Sequence, residues 1–61
     1  ASADTLLGRT EDEAAKLAEE YRWVARVISR DGEALPATQD FRLDRVNLTI
    51  DAGVVTAVSL G

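Results

Sequence analysis

The fold of this chain is decided by the stretch between residues 35 and 46, which reads LPATQDFRLDRV. Its first half follows neither a helical nor a strand period, and Pro36 opposes a helix and removes a backbone hydrogen-bond donor. Its second half passes into a charged strand, with Arg42, Asp44 and Arg45 close to a Thr-Gln-Asp element that they could brace. Long structureless segments are uncommon in compact domains and are usually functional, so we interpret this one as an exposed loop with a specific task.

Before the loop, the sequence predicts a helix followed by a strand. Thr10 and Glu13 have the spacing of a capping box, in which each side chain accepts a hydrogen bond from the other residue's amide. Apolar residues then recur at helical spacing, which predicts a helix from about Glu11 to Tyr21. From Trp23 the period changes to two, which predicts a strand. Its two faces carry Trp23, Ala25 and Val27 on one side and Val24, Arg26 and Ile28 on the other.

After the loop, the sequence predicts two strands joined by a tight hairpin. The first strand runs from Arg45 to Asp51 and the second from Val54 to Leu60, with a short turn at 51–53. The first strand alternates cleanly, with Val46, Leu48 and Ile50 inward and Asn47 and Thr49 outward.

Three shorter segments carry weaker signals. Ser29 to Gly32 has turn chemistry. Residues 1–5 are small and polar, and we expect them to be loose. Leu7 precedes the helix cap, where an apolar residue can pack back on the helix as a hydrophobic staple.

The connection from Ser29 to Arg42 is long enough to join parallel strands, which need about a dozen connecting residues. The predicted fold class is therefore α+β, with one helix packed on a small mixed sheet. A long exposed loop lies between two parallel strands, and a hairpin ends the chain. Residues 1–61 form a single domain in this interpretation, because no linker or internal repeat divides them.

The composition argues against several classes of function. The 61 residues include no cysteine and no histidine, which removes thiolate metal sites and the usual general base. Eleven acidic and seven basic residues give a net charge of -4, which disfavours nucleic acid and anionic membranes. No apolar run reaches the roughly 20 residues of a transmembrane helix. We expect no enzymatic activity, no catalytic residue, no metal and no cofactor, and either a secreted or a cytoplasmic location is compatible.

Three segments resemble the potato inhibitor I family of serine protease inhibitors, to which the plant chymotrypsin inhibitors and leech eglins belong. The run from Thr38 to Val46, with its acidic and aromatic residues at 40 and 41, is similar to the reactive-loop signature. Gly8-Arg9-Thr10 followed by Glu13-Ala14 is similar to the family's helix start, and Asp51, the short hairpin and the closing Gly61 to its C-terminal strands. Bacterial and fungal elastase-inhibitor-like proteins have a similar pattern.

The resemblance implies that the chain presents a substrate-like extended loop to a serine protease. The scissile bond would lie between Gln39 and Asp40, with Gln39 as the primary specificity side chain. Arg45 would reach from the strand beneath the loop to Thr38 and Asp40. The protease-binding loop would comprise Leu35, Pro36, Ala37, Thr38, Gln39, Asp40, Phe41 and Arg42, and the supporting residues would be Arg45, Asn47 and Gly61.

The sequence departs from the family at two positions that matter for the target. Asn47 stands where the family has a second supporting arginine, and Arg42 is a candidate substitute. Gln39 replaces the usual large apolar side chain, and a polar amide loses its hydrogen bonds to water in an apolar pocket. A subtilisin-like protease with a permissive pocket is therefore the expected target.

Two alternatives to inhibition stay open. The same scaffold can serve as a non-inhibitory protein-binding module that uses its loop or a sheet edge, or as a small structural domain. An enzyme built on the carboxylate pairs Asp31/Glu33 or Asp40/Asp44 is the least favoured, because a chain of this size has little interior to form a cleft. We expect a monomer, although an exposed sheet edge leaves dimerisation possible.

Overall fold

A computed structural model of the chain describes residues 3–38 and 40–61. A 3₁₀ helix comes first and is followed by one α-helix, α1, and four strands. Their bounds are Ala3–Leu6 for the 3₁₀ helix, Glu11–Glu20 for α1, Val24–Arg30 for β1, Glu33–Ala34 for β2, Arg45–Asp51 for β3 and Val54–Leu60 for β4. The strands form one sheet in the order β2-β1-β3-β4, in which β1 and β3 are parallel and the other two pairs antiparallel. The predicted α+β fold, with its parallel pair and C-terminal hairpin, is confirmed.

Helix α1 begins at the predicted capping box. The Glu13 amide donates to Thr10 Oγ1 at 3.2 Å, and the Thr10 amide donates to Glu13 Oε1 at 3.0 Å. These bonds, the one from the Thr10 amide first, lower the pKa of the Glu13 carboxyl below its ordinary value. Tyr21 is the C-terminal cap, and the next residue, Arg22, has a φ of 62° that turns the chain out of the helix. The predicted helix is confirmed to within one residue at its C-terminal end.

The hydrophobic core lies between α1 and the inward face of β3. The apolar side chains predicted to point inward from β3 are buried, together with residues of the 3₁₀ helix, α1 and β4: Leu6, Ala14, Val46, Leu48, Ile50 and Val55. Ala25 and Val27 of β1, and Trp23 just before the strand, pack against this cluster, as their alternation predicts. The other face of β3 is covered as well, because Arg45 and Asn47 are only 7% and 9% exposed.

The segment before α1 is ordered, which corrects two predictions. Residues 3–5, which were expected to be loose, form a 3₁₀ helix with Leu6, and Leu6 is completely buried in the core. Residues 1 and 2 of the same prediction lie outside the described residues. The expected staple residue, Leu7, is 43% exposed. The Gly8 amide donates to the Val55 carbonyl at 2.9 Å and the Val55 amide to the Arg9 carbonyl at 2.8 Å, so β4 holds this segment against the sheet.

The predicted turn at 29–32 is shorter than expected, because β1 continues through Arg30. The chain reverses at Asp31 and Gly32, and β2 then pairs antiparallel with the end of β1. Glu33 and Ala34 fall within the predicted connection from Ser29 to Arg42, and two residues are too few to display a period of two. The irregular connection to β3 is therefore reduced to residues 35–44.

Two similar tight turns lie side by side at one end of the sheet. Asp31 and Gly32 have φ values of 52° and 81°, and Ala52 and Gly53 have 51° and 79°. Positive φ at both central residues characterises the two-residue hairpin turn whose twist matches that of the strands. The Ala52 amide donates to Asp31 Oδ1 at 2.9 Å, which joins the two turns. Ala52 occupies the left-handed region without the local side-chain hydrogen bond that asparagine or aspartate makes there.

Replacing Ala52 with asparagine is expected to raise the free energy of unfolding by roughly 1 kcal/mol, because asparagine tolerates the left-handed conformation better than alanine. Urea unfolding followed by circular dichroism measures the change. Ala57→Asn, at an exposed position within β4, is the matched control and should give no gain, since asparagine is disfavoured in strands. Equal effects at the two positions would contradict the turn assignment.

Candidate functional site

The candidate site is the connection between β2 and β3, which lies over the sheet face opposite α1. Its side chains from Pro36 to Thr38 and from Asp40 to Leu43 are exposed, and Leu35 is half-buried. Gln39, the predicted specificity residue, lies outside the described residues. The Leu35 amide donates to the Ile28 carbonyl at 2.9 Å, so the first residue of the loop after β2 is still hydrogen-bonded to β1.

Arg45 attaches the second half of the loop, residues 40–44, to the sheet. Its side chain is buried beneath the loop and donates from Nη2 to the Asp40 carbonyl at 2.5 Å. Its Nη1 lies 3.6 Å from Asp40 Oδ2 in an ion pair. Nε and Nη2 also donate to the Gly61 carbonyl, at 3.3 and 2.8 Å. One guanidinium therefore joins β3, the loop and the residue after β4.

Gly61 contacts the second half of the loop from the sheet side. Its amide donates to the Arg45 carbonyl at 3.0 Å, and its carbonyl also accepts from the Arg42 amide at 3.3 Å. Its φ is +118°, and a Cβ there would lie 2.8 Å from Cδ2 of the Phe41 ring. Glycine is needed at this position both for its backbone conformation and for the close approach of Phe41.

The first half of the loop, residues 35–38, is contacted by Arg26, which lies on β1. Arg26 Nη1 donates to the Thr38 carbonyl at 3.2 Å and to Thr38 Oγ1 at 3.1 Å. Its Nε donates to Asn47 Oδ1 at 2.9 Å, and Arg26 and Asn47 are register partners in the parallel pair of strands. The bonds to Thr38 that were expected from Arg45 are made by Arg26.

Arg42, the suggested substitute for a second supporting arginine, does not contact the first half of the loop among the contacts that the structure describes. Its Nε and Nη2 donate to the two carboxylate oxygens of Asp44 at 3.2 and 3.3 Å. Both side chains are about half exposed, and a pair of this kind contributes little to stability. The bracing role suggested for Arg42 therefore gains no support from the described contacts and stays a prediction.

The Asp40 carboxylate is held in its charged form by its neighbours. A hydrogen bond from the Thr38 side chain has the largest effect and lowers the pKa of Asp40 below its ordinary value of 3.8. The Arg45 guanidinium lowers this pKa further. Thr38 Oγ1 also accepts a hydrogen bond from Arg26 Nη1.

The contact made by Arg26 was missed at the level of sequence, although a signal was present. Alternation in β1 places Arg26 on the face opposite Trp23, Ala25 and Val27. A charged residue in the middle of an otherwise apolar strand indicates a polar partner above that face. The sequence did not identify Asn47 as the neighbour of Arg26, because that contact depends on the register in which β1 pairs with β3.

Other kinds of site were sought in residues 3–38 and 40–61. No group of three or more acidic residues is placed to hold a metal ion, and no enclosed pocket is found there. Within the same ranges, no helix is both long and apolar enough to cross a bilayer.

No protein family matches the chain, and no curated protein matches it. The resemblance to the potato inhibitor I family therefore rests on the residues quoted above.

The Asp40 carboxyl is expected to titrate below 3.8 in the folded protein, and Thr38→Val should raise its pKa by removing the largest stabilising contact. Because the folded pKa lies below the unfolded one, the charged carboxylate's contribution to stability is complete above about pH 4 and is lost as the pH falls through the folded pKa. Carboxyl-carbon NMR against pH measures this pKa.

The control for that titration is Thr56→Val. Thr56 Oγ1 donates to Asp51 Oδ2 at 3.0 Å on the hairpin of β3 and β4, so its loss should leave the Asp40 pKa unchanged. A pKa at or above 3.8 in the unaltered protein, or one insensitive to Thr38→Val, would show that the carboxylate is not held as described.

Proposed function

We propose that this chain is a serine protease inhibitor that presents the segment from Leu35 to Arg42 to a subtilisin-like protease as an extended substrate. The observation that carries the proposal is the attachment of an exposed loop to a buried guanidinium. Asp40 is exposed, yet its carbonyl and its carboxylate are both held by Arg45. That residue is in turn held by Gly61.

An attached loop of this kind has the property that tight inhibition needs. A substrate-like peptide binds a protease as an added strand through backbone hydrogen bonds. Ordering a mobile loop on binding costs conformational entropy, and a loop that is ordered beforehand avoids that cost. Bonds from a guanidinium to a carbonyl and a carboxylate are among the stronger hydrogen bonds available for this purpose.

The same contacts favour slow cleavage over release. In the proposal the scissile bond joins Gln39 to Asp40, and Arg45 keeps its hold on Asp40 after the bond is cut. The new amino end then stays close to the acyl-enzyme, so that re-formation of the peptide bond competes with release. Effective concentrations for groups held in such an orientation are high.

The side chains of the loop indicate which class of protease would bind it. Gln39 is polar, which disfavours a deep apolar specificity pocket and favours a permissive one of the subtilisin type. Pro36 and Ala37, which precede it, are small and exposed. They leave room for a protease strand to approach the loop backbone.

A non-inhibitory protein-binding module is the second candidate, and one observation favours it. Phe41 and Leu43 are 68% and 84% exposed, and they flank Arg42 on the side of the loop beyond the proposed scissile bond. Two large apolar side chains this exposed can anchor a partner that is not a protease. A partner of that kind would bind equally well whether the 39–40 bond is intact or cut.

The test is an inhibition assay against a subtilisin, followed by mass analysis of the recovered protein. We expect a tight complex and slow cleavage confined to the Gln39–Asp40 bond. Arg45→Ala is expected to weaken inhibition and to accelerate cleavage at least roughly tenfold, because charge-assisted bonds to the loop are lost. The proposal would be wrong if micromolar concentrations of the protein gave no inhibition while circular dichroism showed an intact fold.

The matched control is Arg30→Ala, which removes an exposed arginine whose Nη2 lies 2.7 Å from Glu11, away from the loop. It should inhibit like the unaltered chain. If Arg45→Ala does not fold, Asp40→Asn removes the ion pair while leaving Arg45 bonded to Gly61. That variant should show the same effects in smaller measure.

A further inference from the structure

We infer that Arg26, oriented by Asn47, is a second positioning residue of the loop, and that it holds Thr38 as Arg45 holds Asp40. The inference rests on the proposed function and deepens it. It gives each side of the proposed scissile bond its own guanidinium, supplied by a different strand of the parallel pair.

The first step is the geometry of the contact. Arg26 lies on the same sheet face as Asn47, beside it across the parallel ladder of β1 and β3. Its Nη1 reaches both the carbonyl and the hydroxyl of Thr38, at 3.2 and 3.1 Å. A side chain that binds a backbone carbonyl holds the path of the chain itself, so this contact restrains the loop whatever its side chains do.

The second step is the role of Asn47. The bond from Arg26 Nε to Asn47 Oδ1, at 2.9 Å, lies on the stem side of the guanidinium. Because the guanidinium is planar and rigid, a partner at Nε also sets the direction of the outer nitrogens. Asn47 is itself 9% exposed, and buried amides normally have such a partner. Asn47, which stands on β3 where the family has a second arginine, therefore orients Arg26 on β1.

The third step is the division between the two sides of the loop. Thr38 is bonded to Arg26, and Arg26 is anchored by Asn47. Asp40 is bonded to Arg45, and Arg45 is anchored at Gly61. Cleavage between the two sides would leave each new end attached to the sheet by its own arginine.

The first test measures motion in the free protein and needs no protease. Arg26→Ala is expected to lower the ¹⁵N order parameters of Ala37 and Thr38 while leaving those of Asp40 and Phe41 near their original values. Arg45→Ala is expected to do the reverse. Mobilisation of both halves by Arg26→Ala, or of neither, would overturn the division.

The second test measures the cleaved bond. At equilibrium with catalytic subtilisin, Arg26→Ala is expected to shift the ratio of cleaved to intact chain roughly tenfold toward cleaved, the change that loss of one or two hydrogen bonds produces. Asn47→Ala should give part of that shift, and the double variant no more than Arg26→Ala alone. Additive shifts would show that Asn47 does not act through Arg26.

Two further variants separate positioning from charge and from general stability. Arg26→Lys keeps the charge but has no Nε to bond Asn47, so it should behave like Arg26→Ala. A lysine that restores the original ratio would overturn the orienting role of Asn47. Arg30→Ala, on the same strand but outside the loop contact, should leave the ratio unchanged.

The two tests fail independently. If the chain does not inhibit a subtilisin but the order parameters divide as expected, the proposed function is wrong and Arg26 still positions the loop. If the chain inhibits but Arg26→Ala changes neither the order parameters nor the cleavage ratio, the inference is wrong and the proposed function stands.

Discussion

The buried guanidinium of Arg45 is the interaction on which the rest of the site depends. A charged group taken out of water must be paired and hydrogen-bonded, because an unpartnered buried charge costs several kcal/mol. Its partners here come from the loop, at Asp40, and from the residue after β4, at Gly61. Each of these segments is therefore required for burial of the arginine, and the arginine in turn determines where both of them lie.

The two faces of the sheet are covered by different interactions, apolar packing on one and hydrogen bonds on the other. One face packs apolar side chains of β1, β3 and β4 against α1 and Leu6, and it forms the hydrophobic core. The other carries Arg26, Arg45 and Asn47, and its second layer is the loop. A loop held by hydrogen bonds from below needs no apolar side chains of its own for anchorage. The described side chains at 36–38 and 40–43 remain exposed, which a loop packed into a core would not allow.

The contacts between this loop and the sheet form without disulfides, since the chain has no cysteine. In a domain of this size the core alone supplies a small margin of stability. Long arginine side chains extend the reach of a rigid strand to a segment that the core cannot contact. The two tight turns at the other end of the sheet, joined through Asp31 and Ala52, hold the strands that carry these arginines.

The sequence by itself determined the elements that depend on local pattern. The bounds of β3 and β4 agree with the prediction because alternation and a two-residue turn are local signals, and α1 agrees because its capping box is local too. It did not reveal β2 or the 3₁₀ helix, whose order comes from pairing with β1 and from contacts with β4. Only the tertiary structure decided that Arg26 reaches Thr38 and that the Arg42 side chain bonds to Asp44. The physical reason is that parallel pairing brings residues 26 and 47 side by side, and a distance of 21 positions along the chain carries no local signal of that contact.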